Sequence, residues 1–206
     1  MRYDADTSRN AFVIGIASSI ALYCSTPRSD YKAVALFLGY VTLMQGFDYL
    51  FWTYPKPSEI NHIATKAAAV VNLMQPIVLY LLLKLQSNKI ASRLAFVYFL
   101  CAAIYTLIHW NKLTFTEVKP DSALSLRWDW NNYKGSVLIF SLYLIVSLYC
   151  IKQGLSYPLN YLFIAIFIGT YLFGVFKHKI NVSYGRFWCY YAAYAPLLLL
   201  LTLQLR

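Results

Sequence analysis

The chain has 206 residues, 60% of them apolar and 13% charged, with a formal net charge of +10. Soluble domains carry about a quarter charged residues. There is too little charge here to cover a surface in water, and lipid is the expected solvent. The basic excess does not point to nucleic acid, because Lys and Arg fall mostly in short gaps between apolar runs, where lipid phosphate head groups would meet them.

A hydrocarbon core of about 30 Å takes roughly 17–25 apolar residues of helix. By that measure, membrane-spanning helices are predicted at 10–26, 32–52, 59–84, 90–110, 135–151, 159–176 and 187–204. No run alternates as a strand would, and there is no internal repeat. The predicted fold is therefore an all-α polytopic transmembrane bundle of seven helices with short loops, in one domain over 1–206.

The first run is short enough for a signal-peptide core. No small-x-small cleavage site follows it, and Cys24-Ser25-Thr26 leads straight into Pro27, so it reads as a retained helix.

The second and third runs carry the strongest polar signal. Gln45, Asp48 and Trp52 are spaced by three and four residues and share one face. Asn61, Thr65, Ala68, Asn72 and Gln75 form a stripe roughly 80° wide, which must face protein or water. His62 and Lys66 occupy the neighbouring face. Counted from the turn, Asp48 and His62 are each about 6 Å deep, with Gln45 and Lys66 a turn further. An Asp48–Lys66 or Asp48–His62 contact is therefore within reach, and since burying an unpaired carboxylate costs several kcal/mol, pairing or neutralisation of Asp48 is expected. Ala67, Ala68 and Ala69 allow close helix approach. Pro76 cannot donate to the Asn72 carbonyl, which leaves an acceptor beside the Asn72 and Gln75 amides.

The fourth run carries Arg93 near its start. The gap at 111–134 is long for a connector, holds Pro120 and Leu126-Arg127-Trp128-Asp129-Trp130, and is predicted to lie along the membrane interface. With seven spans, Trp52, Trp110, Trp128, Trp130 and Trp188 fall on one side, together with His62, His109 and His178. An aromatic belt and a polar vestibule are both consistent with that placement. That side holds ten Lys and Arg against seven on the other, almost all of the excess lying in the long connector, so the positive-inside rule assigns no orientation. A sequon, Asn181-Val182-Ser183, also lies there. No clean small-x-x-x-small seam argues for an oligomer.

Cys24, Cys101, Cys150 and Cys189 include no C-x-x-C pair and read as packing residues. Zinc would need three N/O ligands, but H-x-x-x-H and H-E-x-x-H are absent. The last run has no lysine for a retinal Schiff base, and there is no G-x-S-x-G elbow, phosphate loop or dinucleotide glycine pattern. No catalytic residue, metal or cofactor is therefore assigned.

Met44-Gln45-x-x-Asp48-x-x-x-Trp52, then Asn61, then Gln75-Pro76, resembles a pattern in uncharacterised multispanning membrane proteins of large DNA viruses. The later Trp188-Cys189 pair fits it too. Those proteins more often have Glu at the position of Asp48, which suits a requirement for a carboxylate. The resemblance implies a multispanning membrane protein and no particular activity.

The expected function is an ion or small-molecule channel, transporter or binding protein. Its polar pocket would lie between the second and third helices and be lined by Gln45, Asp48, Asn61, His62, Thr65, Lys66, Asn72, Gln75 and Pro76. The alternative is a non-catalytic membrane scaffold or virion or organelle membrane component, and a third reading is a membrane-embedded hydrolase acting on lipid.

Overall fold

The computed structural model describes residues 4–118, 126–178 and 184–204. Pro120 and the 181–183 sequon lie outside them, and the side chain of His178 is likewise not described. Seven α-helices follow in order: α1 (Ala5–Ser25), α2 (Ser29–Thr53), α3 (Glu59–Leu82), α4 (Lys89–His109), α5 (Ser136–Gly154), α6 (Leu159–His178) and α7 (Tyr184–Gln204). The all-α seven-helix bundle expected from hydropathy is what forms.

Capping residues set several boundaries that hydropathy could not. Asp4 accepts a hydrogen bond from the Thr7 amide at 2.8 Å and starts α1 well before its apolar run. Ser58 caps α3 through the Asn61 amide, and Asn88 caps α4 through the amides of Ile90 and Ala91. Lys84, at φ 53°, stops the chain from continuing past the end of α3.

The segments Ser29–Thr53, Glu59–Leu82, Lys89–Lys112 and Ser136–Gly154 are long and apolar enough to cross a membrane. Among the described residues, α6 and α7 contribute shorter apolar stretches, Leu159–Thr170 and Trp188–Leu203.

The helices pack in a closed ring. α2 touches α1, α3 and α7; α3 adjoins α4 and α5; α5 adjoins α6; and α7 returns to α6, α1 and α2. α1 enters this ring through a face of small side chains, with Ala11, Gly15 and Ser19 all buried. A small-x-x-x-small seam is therefore present after all, at 11, 15 and 19, and it serves packing within the chain. Gly15 sits at the α1–α2–α7 junction, where an added Cβ would lie 2.6 Å from Thr42 Cγ2 and 2.9 Å from the Ala193 carbonyl oxygen. α4 buries an equally regular stripe of Ala91, Ala95, Tyr98, Ala102, Tyr105 and His109. At the opposite end from the α2–α3 turn, Arg28 reaches Asp30 at 2.8 Å and Ser156 at 2.7 Å, tying the α1–α2 turn to the α5–α6 turn.

The connector between α4 and α5 differs from expectation. Its described residues turn into the bundle. After a 3-10 turn at Trp110–Lys112, Glu117–Val118 pairs antiparallel with Leu126–Arg127, and a second 3-10 turn follows at Asp129–Asn131. Leu113, Thr116, Leu126, Trp128 and Trp130 are all buried. Leu126 and the two tryptophans belong to the same apolar core as residues of α2, α3, α5 and α7. Removing that much aromatic surface from solvent favours the inward position.

Gly15→Ala should overpack the three-helix junction and destabilise the detergent-solubilised protein by about 1–3 kcal/mol. Gly39→Ala, whose Cβ would meet only Ser19 at 3.4 Å, should be far milder. Thermal unfolding of the two variants side by side checks the contrast.

Candidate functional site

The polar stripe of α3 divides into two parts with different partners. The part nearest the α2–α3 turn grips the connector. The Asn61 side chain reads both backbone groups of Thr116, donating through Nδ2 to its carbonyl at 3.3 Å and accepting from its amide at 2.9 Å through Oδ1. Nδ2 also donates to the Tyr54 carbonyl at 2.9 Å, closing the α2–α3 turn. Thr65 Oγ1 donates to Asn61 Oδ1 at 3.1 Å and bonds Thr116 Oγ1 at 2.9 Å. The two donor hydrogens and both acceptor positions of the Asn61 amide are thus in use.

The histidines act alike. His62 Nδ1 lies 3.0 Å from the Thr114 carbonyl, and His109 Nε2 lies 3.1 Å from the Lys134 carbonyl. His109 is further held between the Tyr105 and Tyr133 rings, each with its centroid 4.8 Å away. Tyr105 donates to the Trp130 carbonyl, and Tyr133 donates to the Lys112 carbonyl at 2.8 Å. Among the described residues, no three His, Cys, Asp or Glu side chains gather closely enough to hold a metal ion.

Asp48 is 1% exposed and accepts a hydrogen bond from Trp128 Nε1 at 3.0 Å. The Asp48–Lys66 and Asp48–His62 pairings do not form. His62 is engaged by the connector backbone, and the Lys66 ammonium lies 4.8 Å from the centre of the Trp110 ring. Lys66 sits on the outer face of α3 and takes no part in the interior. The tryptophans divide in the same way. Trp110 is 38% exposed and fits an interface position, and Trp52 is half-buried. Trp128 and Trp130 stack at 5.4 Å in the core, and Trp188 packs edge-on against Phe167 at 4.5 Å. Three of the five therefore form part of the interior, not of a belt.

Beyond Asp48 the interior polar groups continue. Tyr143 of α5 donates to Gln75 Oε1, and Gln75 Nε2 points at Cys189 Sγ of α7, 3.7 Å away. These bonds direct the α2–α3 polar face toward the bundle centre, bounded by α5, α7 and the connector. At the level of Pro76, tyrosine hydroxyls meet the carbonyls on either side of Asn72. Tyr40 donates to Val71 at 3.2 Å and Tyr98 to Leu73 at 2.6 Å. The helix runs unbroken through Pro76 to Leu82. The Tyr40–Val71 bond also aligns α2 with α3, placing Gln45 about 7 Å nearer the connector than the Asn72 level.

Several buried side chains have hydrogen-bonding capacity that the described protein leaves unused, among them Nε1 of Trp130 and both amide atoms of Asn131 near the connector, and three lie along the column itself. Both amide atoms of Gln45, 1% exposed, and Nδ2 of Asn72, 2% exposed, have no partner among the described residues. Each such buried group costs about 1–3 kcal/mol unless something satisfies it. Ser147 Oγ of α5 is in the same condition.

The sequence assigns Gln45, Asp48, Asn61, His62, Thr65, Lys66, Asn72, Gln75 and Pro76 to one lining. Seven of them are buried and divide into an outer clamp and an inner column, whereas half-buried His62 and Lys66 turn to the Thr114 carbonyl and the Trp110 ring. That assignment misses the connector tryptophan that covers Asp48 and the tyrosines that close the walls. The signal for the first was present: Leu126, Trp128 and Trp130 recur at every second residue, the period of an extended segment with one buried face.

No family model matches the chain, and no curated protein or solved structure is significantly similar to it.

Asn61→Ala should leave the buried Thr116 amide without an acceptor, lower stability by about 1–3 kcal/mol and expose the connector to protease, while the parent protein resists. Limited proteolysis with mapping of the cut sites measures this. Trp128→Phe, which keeps the ring stack but removes the N–H, should couple energetically to Asp48→Asn in a double-mutant cycle. Additive effects would show that the 3.0 Å bond carries no energy.

Proposed function

We propose that the chain is a multi-pass integral membrane protein that binds a small polar solute or ion in the column below Asp48, with the α4–α5 connector as its stopper. Four helices of sufficient length and apolarity support the membrane assignment. The observation that carries the binding role is Gln45. A fully buried amide with neither atom bonded by protein, one turn from a buried carboxylate, is costly in an inert interior and useful in a site. A carboxylate, two primary amides and the tyrosine-lined level of Pro76 together suit a cation or a small neutral solute rich in donors and acceptors. The Trp128 bond to Asp48 supports the stopper role, because solute that competes for the carboxylate would loosen the connector.

A second reading has its own support. The outer half of the polar stripe is wholly occupied in holding the connector, as it would be in a non-catalytic scaffold whose buried amides serve rigidity alone. The likeness of the Met44–Pro76 segment to viral membrane proteins would place such a scaffold in a virion or organelle membrane.

Proteoliposome flux of Na⁺, K⁺ and protons, each read with an ion-sensitive dye, together with binding of the same cations by the detergent-solubilised protein, separates the two readings. For a binding or conduction site, Gln45→Leu and Asp48→Asn should each reduce binding or flux at least about tenfold, the effect of losing roughly 1.4 kcal/mol of interaction. If Gln45→Leu instead raises the unfolding temperature and the parent shows neither binding nor flux, the scaffold reading holds and the site is withdrawn.

A further inference from the structure

Lys66 points away from the column, and its surroundings define a second site. α3 and α4 enclose an outward-facing groove of about 530 Å³, walled by Val70 and Met74 on one side and by Phe99, Ala103, Leu107 and Trp110 on the other. That volume falls within the roughly 300–1,000 Å³ typical of small-molecule sites. From Phe99 to Trp110 the groove runs about 16 Å along α4. Both helices are among those long and apolar enough to span a membrane. The groove therefore faces acyl chains if the membrane reading above, on which this inference rests, is correct.

The end nearest the α2–α3 turn is not apolar. Lys66 lies one helical turn from Val70, with its ammonium over the ring of Trp110, at the mouth of the groove. Asn111 lines the same mouth, and exposed Lys112 follows it. Lys66 forms no ion pair among the described residues; the nearest acid on its own helix face is exposed Glu59, two turns toward the helix start. A lysine about 10 Å inside a spanning helix, held over an aromatic face and lacking a carboxylate, has its charge available to an anion. Trp110 supplies the amphipathic ring that sits at the level of lipid head groups.

We infer that the α3–α4 groove is a specific site for an anionic phospholipid. Its acyl chain lies along Val70, Met74, Phe99 and Leu107, and its head-group phosphate sits on Lys66 and the Asn111–Lys112 turn. A zwitterionic lipid fits the same groove but brings its own cation against Lys66, so selection falls on head-group charge.

The test uses the full chain in detergent, titrated with phosphatidylglycerol or phosphatidylcholine of identical acyl chains. Lipid retention is read by native mass spectrometry and stability by thermal unfolding. One phosphatidylglycerol should be retained in preference to phosphatidylcholine and should raise the unfolding temperature. Lys66→Gln should cut that preference about fivefold, the factor one cation near a membrane surface supplies, without reducing phosphatidylcholine retention. Ala103→Phe, which fills the groove, should remove retention of both lipids. Equal retention of the two lipids by the parent, or a preference unchanged in Lys66→Gln, overturns the site. So does an identical stabilisation by inorganic phosphate alone, which would mark a free-anion site. Resistance of the parent to carbonate extraction from membranes is measured in parallel. Extraction would remove the membrane reading itself, whereas resistance without lipid preference removes only the groove site.

Discussion

The arrangement depends on one constraint: polar groups carried into an apolar bundle must find partners there, because hydrocarbon offers none. α2 and α3 bury a carboxylate, two asparagines, two glutamines and two threonines. The connector between α4 and α5 answers the outer half of that set. Thr116 supplies its backbone groups to Asn61 and its hydroxyl to Thr65, and Trp128 supplies an N–H to Asp48. The exchange is mutual. The buried stretches of the connector carry backbone amides and carbonyls that need partners of their own, and Asn61, His62, Tyr105 and His109 provide them. Hairpin and connector thus each make the burial of the other tolerable.

Apolar packing reinforces the same arrangement. The stacked pair of Trp128 and Trp130 and the side chain of Leu126 fill the space at one end of the helix ring. Tyr143, Phe167 and Trp188 form a continuous aromatic wall deeper down, with ring centroids 6.0 and 4.5 Å apart. Gln45 and Asn72 lie beyond the connector tryptophans with amide atoms the described protein does not use, and Ser147, one turn past Tyr143 on α5, is likewise unbonded. A region that is polar, enclosed and incompletely bonded is where a solute would gain most from binding. The outer face obeys a different rule. There Lys66 sets its ammonium over the Trp110 ring instead of joining the interior network.

Much of this architecture was legible in the residue order. The number of helices, their approximate spans and the inward direction of the α3 stripe follow from run length and a period of 3.6, both local properties. The division of that stripe was not legible, because nothing in Asn61 or Asn72 says which one will meet a loop fifty residues away. The partner of Asp48 was misjudged for a related reason. Depth along a hairpin ranks Lys66 and His62 as close, but angular position sends Lys66 outward, and the acceptor on Asp48 is reached from Trp128, eighty residues on. The connector itself held a readable cue in its alternating Leu126, Trp128 and Trp130.

By itself, then, the sequence determined an all-helical, lipid-compatible bundle with one polar hairpin, since hydrophobic run length and helical period act within a single segment. Only the tertiary structure decided that the hairpin is roofed by a returning loop, that three of five tryptophans lie inside, and that Gln45 rather than Asn61 is left with open valences. Those outcomes depend on which groups from distant segments compete for the same few partners, and that competition is resolved only once all seven helices are packed.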